Sequence, residues 1–449
     1  MKRPPAEEDL APYEPSPEEP WSRSGAAHLL RRAGFGGTRE EIETAFARGP
    51  QRTVDSLLAP PPSAAHREAL ESVRPLLDFS DVSILQAWWL LRMLSGGEPL
   101  REKIALFWHG HFATSNRKVG NLRLLHAQNL LFFEKGLGPF RNLVLAVARD
   151  PAMLVWLDGN ENEKGRPNEN FARELMELFT LGIGNYTELD IREAARAFTG
   201  WHMREEAFSF SARAHDAEAK RVLGRKGNLD GGDVVEACLD HAASPRFLAA
   251  KIFGFLAYPD PPPPLLDDLA DRFRASERSF RALVETILRS RAFFSPRARR
   301  SLVKSPAEYC VGALRALRLR PNAKAVGSAM REMGQSLFEP PNVKGWEGGR
   351  SWISAATLLA RNRFAAAITA SGGERLGCAF DPEAFFPDAA RCSPEAAVDF
   401  ALDTLLDGEA PEAARDRLVL AAREAGRDFD AAARATLHAI LSLPEYQMN

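Results

Sequence analysis

Apolar residues in this chain recur at the spacing of a helix face, in runs opened by capping residues and closed by glycine or proline. Strictly alternating runs hardly appear. Between 82 and 112, Trp88, Trp89, Leu91 and Met93 precede a Gly96-Gly97 break, and Ile104, Leu106, Phe107 and Trp108 follow it, so two helices are predicted there. Thr38 with Glu41 three residues on has the form of a capping box. Asn168 can cap a helix over 169–181 that turns Leu175, Leu178 and Leu181 to the core, with Gly182 at the left-handed C′ position. Thr187 and Asp190 can cap the next helix. The pattern predicts a mostly all-α chain, an irregular multi-helix assembly. Its one β segment is a small ribbon around 205–232, where Phe208, Phe210 and Val222 alternate with polar residues and glycine. No repeat of fixed period appears, which argues against a helical solenoid.

The 449 residues exceed one usual core, so lobes are expected. Residues 1–23, acidic and proline-rich, read as a disordered tail whose first 20 residues are dispensable. Residues 24–390 read as the main helical domain and 391–449 as a C-terminal helical lobe packed on it. With 58 basic against 60 acidic residues the net charge is −2, and no global field draws the chain to nucleic acid or an anionic membrane. No run of about 18 apolar residues suggests a membrane span, and the N-terminus lacks the apolar core of a secretory signal, so the chain reads as cytoplasmic as written. Cys238, Cys310, Cys378 and Cys392 form no Cys-x-x-Cys pair and read as small buried hydrophobes.

Polar chemistry concentrates in a few segments. Phe107-Trp108-His109-Gly110-His111-Phe112 sets two imidazoles two residues apart. On a helix they diverge by roughly 200°; a break at Gly110 would bring them to one side, while the structural reading makes them core histidines beside aromatics. In 168–182, Glu174 and Glu177 stand at i and i+3 beside the leucine face, so at least one is expected to be partly buried and therefore paired, protonated or metal-bound. The structural alternative pairs Glu169 with Arg173, and Glu174 or Glu177 with an arginine such as Arg196. His215-Asp216 is a further ligand pair or a turn device. Trp201 and Trp346 stand on glycine-rich loops, able to stack on a ligand or to plug helix pairs.

Together these segments resemble the bacterial family catalogued as domain of unknown function 1800. The matching stretches are 28–36, 107–115, 150–154, 168–182, 194–201, His215-Asp216, 340–346 and 444–447. The resemblance implies a frequently exported protein whose partner is a sulfatase-like protein encoded nearby. This chain departs from the family near His241, where His-Ala-Ala-Ser-Pro replaces the family's His-Pro-Ser-Thr.

Two functions follow. One is a metal-assisted enzyme, hydrolytic or oxidative, in a helical cleft. There Arg173, Glu174 and Glu177 are the catalytic candidates, and His109, His111, Glu174, Glu177 and His215 would ligate zinc, iron or manganese. The other is a non-catalytic scaffold or glycan- or protein-binding protein using its Gly-Trp loops. Asn168, Trp201 and Trp346 are the ligand-binding candidates.

Overall fold

The computed structural model describes residues 9–60, 71, 77–373, 376–424 and 428–449. Its helices start where the sequence supplies caps. Thr38, Thr187, Asp230, Ser305 and Ser354 each close a reciprocal capping box that satisfies amide groups otherwise left orphaned in the first turn. The expected break between helices Val82–Ser95 and Pro99–His111 falls at Gly96, whose φ of 67° is left-handed. Trp89, Trp108, Phe112, Phe140 and Phe280 are fully buried around the second of these helices, with Trp108 stacked on Phe112 and Phe140. The chain is predominantly helical, as the periodicity implies.

The only sheets among the described residues are two antiparallel hairpins, Trp201–Arg204 with Ala207–Phe210 and Lys220–Val222 with Arg225–Gly227. The first begins four residues before the ribbon expected from the sequence. Its turn is Glu205-Glu206, both at positive φ (49° and 61°), a conformation that matches strand twist but has no turn signature in those residue types. Gly200, at φ 79°, reverses the chain into it and donates its N–H to the Asn162 carbonyl.

Helices Pro394–Leu406, Glu412–Glu424 and Phe429–Ser442 pack on one another, and the last also packs on Ala355–Thr369. Leu437, Ile440 and Leu441 thereby join the core of the larger body. At the other end the expected tail does not hold for the described residues 9–23. Leu10 and Tyr13 are buried, Tyr13 donates its N–H to the Arg289 carbonyl at 2.7 Å, and the Asp9 and Ala11 carbonyls accept from Ala292 and Arg291. Two apolar anchors among the prolines suffice to dock the segment, because Tyr13 finds Phe294 and Trp21. Residues 1–8 lie outside the described residues. The cysteines also divide: Cys238 and Cys310 are buried as expected, whereas Cys378 is half-buried and Cys392 exposed. No helix among the described residues is long and apolar enough to cross a membrane.

Candidate ligand cleft

Helix Pro99–His111 runs unbroken through Gly110, so the two imidazoles do diverge and the break considered at Gly110 does not occur. His109 is buried among Trp89, Phe338 and Trp346 and accepts the Phe338 N–H at Nε2, 3.0 Å away. Burial lowers its pKa to about 3, so the ring is neutral and able to accept. His111 sits on the other side, with Nε2 3.0 Å from the Phe179 carbonyl. A carbonyl only accepts, so this nitrogen carries the proton and Nδ1 is the lone-pair nitrogen, buried with no hydrogen-bond partner among the described residues. Burial, with the Lys251 charge nearby, holds His111 well below the usual histidine range.

The carbonyl that His111 meets belongs to a distorted helix. Residues Asn170–Glu174 are α-helical, and Leu175–Thr180 widen into a π-turn, a deviation often found at functional sites. Asn168 does not cap this helix; its side chain accepts the Asn170 N–H and its own N–H bonds Asn162, which orders the preceding loop. Arg173 bonds Glu169 at 3.1 Å, the pairing expected from i,i+4 spacing, and Glu188 through two nitrogens. Arg196 is spent on Glu193 and Asp216 and reaches neither Glu174 nor Glu177. Those two carboxylates therefore lack an ion pair among the described residues. Glu177 accepts the Tyr186 hydroxyl at 2.9 Å. Glu174 is half-buried, and desolvation together with the Glu177 charge raises its pKa, opposed by Arg173 and Lys344.

Lys344 leads to a cleft. The loop after helix Ala323–Glu332 lays Gly345 (φ 75°) directly on the backbone of Gly110, where any Cβ would overlap the Gly110 carbonyl. This contact holds Lys344 and Trp346 at the rim of a cavity of about 400 Å³, a size suited to a small organic molecule. Phe107, Phe255, Trp346 and Trp352 make it aromatic, and Gly110 and Gly254 leave its helical walls bare. Of the polar groups in the lining, Glu308 is engaged by Lys103, and Gln335 accepts the Ala307 N–H. Lys251, Lys344 and Glu347 have no ion pair among the described residues. Lys251 as a residue is exposed, yet burial of its amine lowers its pKa. It stands 5.0 Å from the centre of the Phe247 ring.

The family described as protein of unknown function (DUF1800) matches residues 28–448. The chain belongs to this family. No curated protein and no solved structure matched it.

In this DUF1800 chain the remaining candidates lie apart from the cleft. Trp201 is buried edge-on to Phe198 and Phe208 beneath Arg149, a packing role. The His215 Nδ1 bonds the Thr199 carbonyl at 2.9 Å, and the Asp216 carboxylate is held below its usual pKa by Arg196 in spite of some burial. Both tie the loop that follows the first hairpin to the C-terminal end of helix Glu188–Ala197. Among the described residues, no three His, Cys, Asp or Glu side chains gather so as to hold a metal ion. The expected ligand set of His109, His111, Glu174, Glu177 and His215 does not come together as such a group: His109 and His111 diverge on one unbroken helix, and His215 stands at the Thr199 carbonyl. The DUF1800 cleft residues that sequence reasoning did not name as candidates are Lys251, Lys344, Phe255 and Trp352, although Lys344 and Trp352 belong to the Gly-Trp loop that it singled out. A single lysine inside the apolar run 247–256 was the available signal for the first, and the Lys344-Gly345-Trp346 loop for the second.

Proposed function

We propose that this chain binds a small, partly apolar organic molecule bearing an acidic group, in the cleft between the His111 end of its helix, the Lys251 helix and the Gly-Trp loop. One observation carries the reading: two lysines without carboxylate partners face an aromatic cavity of about 400 Å³. Aromatic walls supply contact area at low entropic cost, and the ammonium groups select an anion. Glu347 adds an acceptor for a ligand hydroxyl or amine. The test is titration calorimetry with matched acids and their neutral amides. Acids are expected to bind more weakly as salt rises. Lys251→Gln and Lys344→Gln should each cost about tenfold or more, since a hydrogen bond to a charged group contributes about 1.5–3 kcal/mol. Equal affinity for the amides, or unchanged binding in the double variant, would contradict the reading.

A catalytic version is favoured by Glu174, whose raised pKa beside Glu177 suits a proton donor and whose field includes the cleft residue Lys344. Glu174→Gln would then stop turnover of a bound acid while leaving its affinity unchanged. Loss of both together would point to a binding role alone.

A further inference from the structure

The two lysines of the cleft stand in different surroundings. Lys344 is exposed on the loop at the rim. Lys251 is the one charged residue in the run 247–256. Among the described residues its amine makes neither an ion pair nor a hydrogen bond, and its neighbour is the Phe247 ring, centred 5.0 Å away. Burial takes water from the amine and lowers its pKa, which raises the share of free base at neutral pH. Gly254 and Phe255 follow on the same helix at i+3 and i+4. One helix face therefore carries the amine, an aromatic ring, and a bare patch where a Cβ would meet nothing within 4 Å. Room for a reacting group lies beside the amine, inside the cavity of about 400 Å³.

We infer that Lys251 forms an imine with the ligand of the cleft, an aldehyde or keto acid whose carboxylate is held by Lys344. The inference rests on the acid-binding reading of the cleft and adds a second functional group to the ligand. In its free-base form the Lys251 Nζ attacks the carbonyl carbon. A C–N bond forms, the carbonyl π bond breaks, and one nitrogen proton moves to the oxygen. The carbinolamine then loses that hydroxyl together with the second nitrogen proton as water, leaving a C=N bond. Nothing is oxidised or reduced, and no co-reactant is needed. The aromatic walls limit the access of water that would hydrolyse the imine. Acids without a carbonyl meet Lys251 only as its ammonium form, so recognition of the acid and formation of the imine are separable.

Reductive trapping gives the direct readout. The full chain is incubated at neutral pH with para- or meta-formylbenzoate and sodium cyanoborohydride, which reduces an imine to a stable secondary amine, and its peptides are mapped by mass. The expected adduct is on Lys251, formed about tenfold faster than on the exposed lysines. Lys251→Arg should remove it without lowering the melting temperature. Lys344→Gln should keep the adduct on Lys251 and erase the preference for the formylbenzoates over the matching formylbenzamides. Label spread over the exposed lysines, or reaching Lys251 no faster than them, overturns the inference; acid binding that persists in calorimetry beside that result leaves the acid-binding reading standing. Fast labelling of Lys251 by acids and amides alike sustains the imine and overturns the acid.

Discussion

His109 and His111 share a helical turn and do opposite things with the same ring nitrogen, because one Nε2 meets an N–H and the other a carbonyl. Only neutral His109 can accept the Phe338 amide, and that bond fixes a residue held at φ 63° in the loop leading to the cleft. The pH consequence has a definite sign. The folded pKa of about 3 lies below the unfolded value near 6.5, so the stabilisation is full above pH 6.5 and is lost as pH falls from there toward 3. Between pH 7 and 4.5 the loss from this residue should be roughly 2–3 kcal/mol. Urea unfolding at both pH values is expected to show a shallower acid loss for His109→Gln than for the wild type; identical slopes would exclude the assigned role. The divergence of the two rings was legible from helical geometry alone. Their partners were not, since Phe338 is 229 residues distant and Phe179 68 residues distant along the chain.

At the scale of elements, local chemistry carried the reading well. The capping pairs Thr38–Glu41 and Thr187–Asp190 and the stop at Gly96 appear where residue type demands them. Two features escaped because no local residue announces them. The π-turn of Leu175–Thr180 ends with Leu181 and Gly182 both donating to the Met176 carbonyl, a matter of tertiary fit. The Glu205-Glu206 turn is imposed by its hairpin. Gly254 gives the sharpest test at this scale. It lies within helix Ala243–Leu256, lines the cleft, and has no atom within 4 Å of where a Cβ would stand. Gly254→Ala should therefore stabilise by about 0.5–1 kcal/mol, the ordinary helical gain over glycine. Gly254→Leu should keep the melting temperature at or above that of the wild type while abolishing ligand binding. Retained binding in a folded Gly254→Leu protein would move the site elsewhere.

Over the whole molecule, the helical class and the family were legible, and the assembly of the site was not. The sequence reading collected His109, His111, Arg173, Glu174, Glu177 and His215 into one cleft and set Trp201 and Trp346 on ligand-binding loops. The fold instead gives His215 and Trp201 to the first hairpin and its supporting helix, and the cleft gains Lys251 and Trp352. Pairings across a helical assembly depend on which faces meet, which no single periodic run encodes. The N-terminal segment makes the same point in a testable form. Composition made it a tail, yet Leu10 and Tyr13 are buried against the Arg291–Phe294 region. Deleting residues 1–20 should lower the melting temperature by roughly 3–6 °C, given about 1.5–3 kcal/mol for each large apolar side chain withdrawn from burial. An unchanged melting temperature would restore the tail.

The central claim is that the cleft beside His111 recognises an acidic group. Crystals soaked in an equimolar set of aromatic and alicyclic carboxylic acids and their carboxamide counterparts address it most directly. The expected density is an acid lying between Phe255 and Trp346 with its carboxylate bonded to Lys251 or Lys344. Amides occupying the cleft as well as the acids do, or acids bound only outside it, would contradict the claim.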